Sequence, residues 1–242
     1  MSKPPIGQVE GKRAHVEAMF DEIAPRYDLL NRVLSFGIDV WWRKRAVAFL
    51  GDALHGTPHE LLDVATGTAD LAIEALSLTP HTVVGVDISE GMLALGREKL
   101  RARYLDDRIE LVQGDSTALP FESGRFDGAL VAFGVRNFEN LRGGLAEIRR
   151  VLKPGAPLVV LEFSHPRAFP VKQGYELYSK HVLPRVGRAV SKSEAAYSYL
   201  PESVAAFPDG EAFLEEMRAV GFTQAVDRPL TFGIVSLYRG LA

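Results

Sequence analysis

The 242-residue sequence predicts an α/β protein built on a doubly wound sheet of seven mostly parallel strands. Three observations support this prediction. Apolar segments alternate with amphipathic segments between residues 59 and 164, which is the pattern of strands and helices in turn. The apolar segments are apolar on both faces, so helices are expected to cover the sheet on each side. Near the end of the chain, two apolar segments follow each other with little between them, which requires an antiparallel pair.

The N-terminal region, residues 1–55, is predicted to be a helical cap that precedes the sheet. Its first ten residues are rich in Pro and Gly and are expected to form a mobile tail. A helical pattern then runs from about Val16 to Leu50. Pro25 lies inside this pattern, so we expect the helix to break there or a new one to begin.

Residues 59–164 are predicted to form the ligand-binding half of the sheet. In order, the predicted elements are strand ELLDVA, helix ADLAIEALSL, strand HTVVGVDI, helix SEGMLALGREKLRARY, strand RIELVQGD, strand RFDGALVAFG, helix LRGGLAEIRRVL and strand APLVVLEFS. Ser89 is expected to cap the second of these helices, and Pro154 and Gly155 to end the third. Right-handed crossovers between the parallel strands then give a doubly wound sheet.

The rest of the chain completes a single domain over residues 1–242. Residues 165–208 are unusually long for a connection between a strand and a helix, so an inserted cap is predicted there. Residues 209–242 are predicted to contain a helix closed by Gly221 and then the two antiparallel strands.

Composition restricts the class of protein. Lys and Arg number 28 against 31 for Asp and Glu, and this balance argues against a nucleic-acid partner. The chain has no cysteine, which excludes disulfides, thiolate metal sites and a cysteine nucleophile and fits a cytoplasmic protein. No segment approaches the roughly 18 apolar residues of a membrane span, and the N-terminus lacks the apolar core of a signal peptide. The six histidines have no metal-ligand spacing, so no metal is predicted.

The segment LLDVATGTADLA passes from a strand through a loop of small residues into a helix. Such a loop lies at the carboxyl end of its strand, where ligands of open α/β sheets bind. It has no Lys, so it is not a phosphate-binding P-loop, and its single Gly67 does not make the dinucleotide pattern GxGxxG. A tight turn that binds nothing remains an alternative.

Acidic residues mark three successive strands. Asp87 ends the second strand and could accept both hydroxyls of a ribose, or stabilise a helix N-terminus. Asp115 ends the third strand and, with Ser116, could contact adenine or cap a loop. Asp63 lies inside the first strand, where an unpaired carboxylate is costly, so we expect it to bond loop amides.

This set resembles the site of S-adenosylmethionine enzymes, whose loop reads DxGxGxG where this chain has Ala65 and Ala69 in place of two glycines. S-adenosylmethionine carries a sulfonium and an ammonium group and no phosphate, so acids without a basic clamp suit it. Two alternatives stay open: a protein that binds this cofactor without turnover, and an NAD-dependent oxidoreductase.

Several longer segments resemble the C-methyltransferases of quinone biosynthesis, which act on demethylmenaquinol and related polyprenyl quinols. These segments are MFDEIAPRYDLLNRVLSFGIDVWWRKRAV, LLDVATGTADLA, VVGVDISEGML, FGVRNFENL, KPGAPLVVLEFS and YELYSKHVLPRVGRAVSKSEAAYSYLPESVAAFP. The resemblance implies the class I methyltransferase fold with strand order 3-2-1-4-5-7-6. It implies methylation of demethylmenaquinol to menaquinol in menaquinone biosynthesis, with a benzoquinol of ubiquinone biosynthesis or another small molecule as alternatives. The expected cofactor contacts are Asp63, Gly67, Thr68, Asp87, Asp115 and Ser116.

For the reaction, the resemblance directs attention to FGVRNFENL, after the fourth strand. Arg136 stays protonated in nearly all settings, so it is expected to stabilise a quinolate rather than act as a base. Asn137 is expected to bond the second ring oxygen. The alternative for Arg136 is an ion pair with a helix acid such as Glu139. The less favoured candidates are Tyr27, Asn31, Glu162 and His165.

The predicted cap at residues 165–208 combines aromatic and basic residues. They are Phe169, Tyr175, Tyr178, Tyr197, Tyr199 and Phe207, with Lys172, Lys180, Arg185, Arg188 and Lys192. An ordered helical cap is expected to surround a quinol head and pass its prenyl tail outward. The basic residues suggest peripheral contact with the inner face of a membrane. A packed lid or a dimer contact remains open, and neither the prenyl length nor the oligomeric state is predicted.

Overall fold

The computed structural model describes residues 11–177 and 194–242, and within them one seven-stranded sheet has the order β3-β2-β1-β4-β5-β7-β6. The strands are β1 (Glu60–Val64), β2 (Thr82–Asp87), β3 (Ile109–Gln113), β4 (Gly128–Ala132), β5 (Pro157–Phe163), β6 (Thr223–Leu230) and β7 (Val235–Leu241). Strands β1 to β5 run parallel, and β7 lies antiparallel between β5 and β6. The predicted fold class, strand order and C-terminal antiparallel pair are therefore confirmed.

Helices cover both faces of this sheet. They are α1 (Lys12–Ile23), α2 (Tyr27–Leu34), α3 (Ile38–Gly51), α4 (Asp70–Ala75), α5 (Glu90–Ala102), α6 (Leu141–Val151), α7 (Val171–Leu177), α8 (Glu194–Ala206) and α9 (Glu211–Ala219). A short 3-10 turn over Ala24–Arg26 separates α1 from α2, so the break expected at Pro25 is confirmed. The hydroxyl of Ser89 accepts a hydrogen bond from the amide of Met92, which confirms the predicted N-cap of α5.

The core has two halves because successive strand residues face opposite sides of the sheet. Leu62 and Val84 face one side and pack in the cluster that contains α6 and α9, including the fully buried Phe213. Leu61 and Val83 face the other side and pack with α3 and α4. Strands β1, β2, β4 and β5 are buried along most of their length, as expected for strands covered on both faces.

A third, smaller cluster joins the two predicted caps above the carboxyl ends of the strands. Val16 and Met19 of α1, Leu30 of α2 and Tyr199 of α8 are buried against one another. The N-terminal helices and the segment after β5 therefore form one cover. Residues 1–10 and 178–193, which include Tyr178, Lys180, Arg185, Arg188 and Lys192, lie outside the described residues, as does the side chain of Tyr197. In the described ranges, no helix has the length and apolar character to cross a membrane.

Candidate active site

The loop after β1 alternates between ordinary and left-handed backbone. Ala65, Gly67 and Ala69 all have positive φ, of 55°, 56° and 68°. The left-handed region costs a residue with a Cβ roughly 1–2 kcal/mol, whereas glycine enters it freely. The two alanines that depart from the glycine pattern thus occupy the positions where glycine would relieve strain. This tight backbone turns the amide of Gly67 toward β2.

Asp63 supports this loop from inside the sheet. Its Oδ2 accepts a hydrogen bond from the Thr66 hydroxyl at 2.6 Å, and Asp63 is only 1% exposed. The sequence predicts that backbone amides of the loop donate to Asp63. In this bond the donor is instead the side-chain hydroxyl of a loop residue. Gly85 of β2 makes room for Thr66, because a Cβ there would lie 2.8 Å from that hydroxyl oxygen. Burial raises the pKa of the Asp63 carboxyl from 3.8 to about 7.

Asp87, at the end of β2, also holds the loop in place through hydrogen bonds. Its Oδ2 accepts from the Gly67 amide at 2.8 Å and its Oδ1 accepts from the Ser89 amide at 2.9 Å. Burial raises the pKa of this carboxyl, and the nearby carboxylate of Asp21 adds to the rise, while the amides oppose it. Asp87 is thus held rigidly at the tip of its strand.

A cavity of about 80 Å³ opens at these strand ends, and we call it the polar cavity because charged side chains line it together with apolar ones. Four of the six predicted cofactor contacts line it, namely Gly67, Asp87, Asp115 and Ser116. Ligand pockets usually enclose roughly 300–1,000 Å³, so this cavity is small. Helix α1 takes up part of its wall: Arg13, Val16 and Phe20 belong to its lining, and Arg13 pairs with the Oδ2 atom of Asp115 at 2.8 Å.

Asp63 and Thr68 are not among the described residues that line the polar cavity. The hydroxyl of Thr68 donates to Asp28 of α2 at 2.6 Å and accepts from Lys99 of α5 at 2.9 Å. Lys99 also pairs with Asp70 at 2.8 Å. The Thr68 side chain therefore ties the loop to the surrounding helices, and Asp63 shapes the loop from within. For both, direct contact with a cofactor stays a prediction that this geometry does not support.

A larger, mostly apolar cavity of about 440 Å³ lies beside the polar one. It runs under the joined caps and is lined by residues from α1, α2, α3, α7 and α8, with Arg136 in its wall. Phe20, Tyr27 and Phe133 line both cavities, so these three rings form a shared wall. The rings of Trp42, Phe133 and Phe163 pack on one another at the floor, with centroids 4.7–6.3 Å apart.

Arg136 and Glu162 form a buried ion pair next to the apolar cavity. One terminal nitrogen of Arg136 lies 2.7 Å from Glu162 Oε1, and the two side chains are 8% and 0% exposed. Glu162 also accepts from the amide of Phe163 at 2.9 Å, and the guanidinium lies 5.5 Å from the Phe163 ring centroid. Burial raises the pKa of Glu162, and the positive charge of Arg136 opposes that rise.

The alternative pairing of Arg136 with Glu139 is wrong. The carboxylate of Glu139 instead accepts from the backbone amides of Gly11 and Arg13, at 3.1 and 3.0 Å, where α1 begins. A carboxylate at a helix N-terminus satisfies amides that lack a partner within the helix. The sequence marks Glu162 only as one of the less favoured site residues. No local pattern identifies a residue 26 positions away as the partner of Arg136.

Asn137 lines the polar cavity, on the other side of the same short turn. Its Oδ1 accepts a hydrogen bond from the hydroxyl of Tyr199 at 3.1 Å. Burial raises the pKa of Tyr199 to about 12, so this phenol stays protonated and donates. Tyr199 was expected only as one aromatic residue of the cap. The structure places it with Arg136 and Tyr27 in the wall of the apolar cavity, and Tyr27 also lines the polar cavity.

Of the remaining candidates, one lies at a cavity and one does not. Asn31 lies in the wall of the apolar cavity and bonds the Tyr27 hydroxyl, whose pKa is raised by burial. His165 is 43% exposed and pairs with Asp209 at 3.3 Å. It is not among the described residues that line either cavity. The geometry therefore does not support His165 as a base.

Comparison with known proteins adds a family to this geometry. A family model described as the ubiE/COQ5 methyltransferase family matches residues 8–242. A demethylmenaquinone methyltransferase of Bacteroides fragilis is 49% identical over 231 residues, which cover 95% of this chain and 93% of that protein. A ubiquinone/menaquinone biosynthesis C-methyltransferase UbiE of Geobacter sulfurreducens is 46% identical over 231 residues, covering 95% and 89%.

Among solved structures, the chain is similar to an S-adenosylmethionine-dependent methyltransferase of Thermotoga maritima, described as a possible histamine N-methyltransferase. The TM-score is 0.63 at 20% identity, and the match covers 93% of this chain and 98% of the other. At this level of identity the likeness shows a shared fold alone.

Proposed function

This chain belongs to the ubiE/COQ5 methyltransferase family, and from that premise we propose that it methylates a ring carbon of demethylmenaquinol, with S-adenosylmethionine as donor. Membership confirms the prediction of a methyltransferase of quinone biosynthesis. The observation that carries the choice of substrate class is the pair of cavities with a shared wall. One lies at the strand ends and has acidic side chains in its wall, and the other is mostly apolar, more than five times larger and lined with aromatic rings.

The polar cavity fits the chemistry of the cofactor. Asp87, Asp115 and Glu139 supply carboxylates, and Arg13 is the one cation among the described residues that line it. This excess of acid suits a ligand with a sulfonium and an ammonium group, and Asp87 suits ribose hydroxyls. When bound, the cofactor supplies an activated methyl group. Because α1 narrows the cavity, we expect α1 to move outward when the cofactor enters and to return over it.

The apolar cavity accommodates the quinol ring and excludes water from the reaction. The ring carbon becomes nucleophilic when the neighbouring hydroxyl loses its proton. The carbon then forms a bond to the methyl group, the bonding electrons stay with the sulfur, and the ring carbon afterwards loses its hydrogen as a proton. Much of the rate is expected to come from alignment of the two ligands across the shared wall. Arg136 sits in the cavity wall and holds a fixed positive charge for the quinolate, while Asn137 is oriented by Tyr199.

Methyl transfer from cofactor with a labelled methyl group tests this function. The purified chain is incubated with reduced naphthoquinols and benzoquinols that carry short prenyl tails, and the products are identified by mass. We expect a gain of one methyl group on the ring of demethylmenaquinol. Tight binding of the cofactor without turnover of any quinol would refute the proposal and favour a protein that only binds the cofactor.

A benzoquinol is the second candidate, because the name of the Geobacter relative covers both pathways. The same panel separates the two. A kcat/KM at least about tenfold higher for the naphthoquinol, equal to about 1.4 kcal/mol in the transition state, would support menaquinone biosynthesis. Equal values would support action in both pathways.

We further propose that the open side of the apolar cavity rests on a membrane. Three phenylalanines near this cavity are largely exposed, namely Phe36 (79%), Phe169 (81%) and Phe232 (80%). Phe36 lines the cavity, and the other two lie within two residues of a lining residue. Leu29 and Val33, one helical turn apart on α2, are also exposed. A polyprenyl tail that leaves the cavity here would pass directly into lipid.

Flotation with vesicles of phosphatidylethanolamine and phosphatidylglycerol tests this contact. The wild type is expected to float, and Phe36→Ser combined with Phe232→Ser is expected to weaken flotation severalfold. Tyr104→Ser is the matched control, since Tyr104 is 88% exposed on the loop after α5 and lines neither cavity. Equal flotation of both variants, or none by the wild type at low salt, would argue against the contact.

A further inference from the structure

Lys12, the first residue of α1, is buried although it is charged. It is 1% exposed, and its Nζ donates to the carbonyl oxygen of Arg136 at 2.9 Å and to that of Phe138 at 3.3 Å. These two carbonyls flank Asn137. Across 124 residues of sequence, a single ammonium group therefore grips the backbone turn that presents Arg136 and Asn137 to the two cavities.

Helix formation gives no reason for a cation at this position. A positive charge at a helix N-terminus opposes the helix dipole, and burial of an ammonium group is costly unless it is well paired. The pKa of Lys12 is lowered from 10.5 to about 8, mainly by burial and next by the positive charge of Arg136. The compensation comes from the two carbonyls and from the neighbouring carboxylate of Glu139, which favours the charged form.

The turn also binds the start of α1 through a side chain of its own. Glu139 follows the turn and accepts from the amides of Gly11 and Arg13, so the start of α1 and the turn hold each other. We call these contacts between residues 11–13 and residues 136–139 the α1 clasp. Within the turn, the amides of Asn137 and Phe138 donate to the carbonyl oxygens of Gly134 and Val135, and the amide of Arg136 donates to Glu162 at 3.4 Å.

We propose that Lys12 is a positioning residue for methyl transfer: through the α1 clasp it fixes the Arg136–Asn137 turn only when α1 covers the cofactor cavity. This inference rests on the proposed function. It links two events, because α1 contributes Arg13, Val16 and Phe20 to the cofactor cavity and Lys12 to the turn. The turn is then in its catalytic arrangement when the cofactor is enclosed.

Two variants remove the grip and a third serves as control. Lys12→Met keeps the length and apolar stem of the side chain and has no donor. Lys12→Gln is shorter and cannot reach both carbonyls. Asp21→Ala loosens α1 at another point, where the Asp21 carboxylate accepts from the Ser89 hydroxyl and from the Gly91 amide at 3.1 Å, with no contact to the turn. The control therefore separates a loose helix from a loose turn.

Hydrogen exchange of the full chain without ligands gives the first readout. In both Lys12 variants, the amides of Asn137 and Phe138 are expected to exchange about tenfold faster, because the turn opens locally. In Asp21→Ala these amides are expected to exchange at the wild-type rate. This arm does not depend on the identity of the substrate.

Steady-state methyl transfer gives the second readout. A misplaced turn is expected to lower kcat about 10- to 100-fold in Lys12→Met, with KM for the quinol little changed. Asp21→Ala is expected to raise KM for the cofactor and to keep kcat. A folded Lys12 variant with wild-type exchange and wild-type kcat would overturn the proposal. If the wild type methylates no quinol, the proposed function fails, and the exchange experiment still decides the role of Lys12 in holding the turn.

Discussion

Replacing Glu162 by glutamine is expected to destabilise the chain strongly, because it removes the charge that balances a buried guanidinium. Arg136 is 8% exposed and Glu162 is fully buried, with 2.7 Å between Arg136 and the carboxylate. Removing one partner of a buried ion pair costs about 3–5 kcal/mol of unfolding free energy. Glutamine keeps an acceptor oxygen for Arg136, so the lower end, about 3 kcal/mol, is expected.

Denaturant unfolding and thermal melting measure this loss. About 3 kcal/mol corresponds to a fall in Tm of roughly 6–12 °C for a chain of this size. Glu60→Gln is the matched control. Glu60 begins β1 and pairs with Arg125 at 2.9 Å through two hydrogen bonds. Its side chain is 22% exposed and that of Arg125 is 33% exposed. That pair is partly open to solvent and is expected to contribute at most about 1 kcal/mol.

A double variant separates charge imbalance from loss of packing. Arg136→Met combined with Glu162→Leu fills the same space with apolar side chains, and such replacements are often neutral or stabilising. We expect this variant to unfold near the wild-type midpoint and to have lost methyl transfer. If Glu162→Gln costs no more than Glu60→Gln, the reasoning from burial of the pair is refuted.

Three further outcomes are expected. Because folding raises the pKa of Asp63 from 3.8 to about 7, the folded chain holds a proton that the unfolded chain has lost between these values. Stability from this group is thus fully present below pH 3.8 and lost progressively as pH rises to about 7, with about 1 kcal/mol of that loss between pH 6 and 8; denaturant titrations should show this slope difference between wild type and Asp63→Asn, and parallel slopes would contradict it. Gly134→Ala places a Cβ 2.6 Å from that of Ala65, so calorimetry should find cofactor affinity at least about tenfold weaker, and unchanged affinity would show that the two loops yield easily. Tyr199→Phe leaves the Asn137 oxygen without its phenol donor and should lower kcat about tenfold with KM nearly constant, while a wild-type kcat would argue against orientation by this bond.

The fold was readable from the sequence because its signals are local. Alternating apolar and amphipathic segments, the cap at Ser89 and the break at Pro25 each depend on a few neighbouring residues. Asp87 and Asp115 were readable as members of one cavity because the carboxyl ends of parallel strands meet at one edge of a sheet.

The contacts that complete the site are long-range, and local patterns do not encode them. Glu139, three residues from Arg136, was the natural partner to consider, but the pair forms with Glu162 on the adjacent strand. Lys12 belongs to the basic stretch GKR beside the expected tail, which suggests solvent exposure. Thr68 matches a cofactor motif, yet Asp28 and Lys99 capture its hydroxyl. In each case a contact between segments distant in sequence decides the outcome, whether the distant residue lies on a strand, as Glu162 does, or on a helix.

The shared wall of Phe20, Tyr27 and Phe133 has a consequence for inhibitor design. An adenosine-like head joined to a hydrophobic tail across these rings would occupy both compartments as one molecule. The second half would then bind at a high effective concentration, so the linked compound is expected to surpass either fragment by about 10²- to 10⁴-fold when its linker spans the rings without strain. Compounds that fill the polar cavity alone would bind features that many proteins of this fold share. Contact with the three rings of the shared wall would add selectivity for this chain.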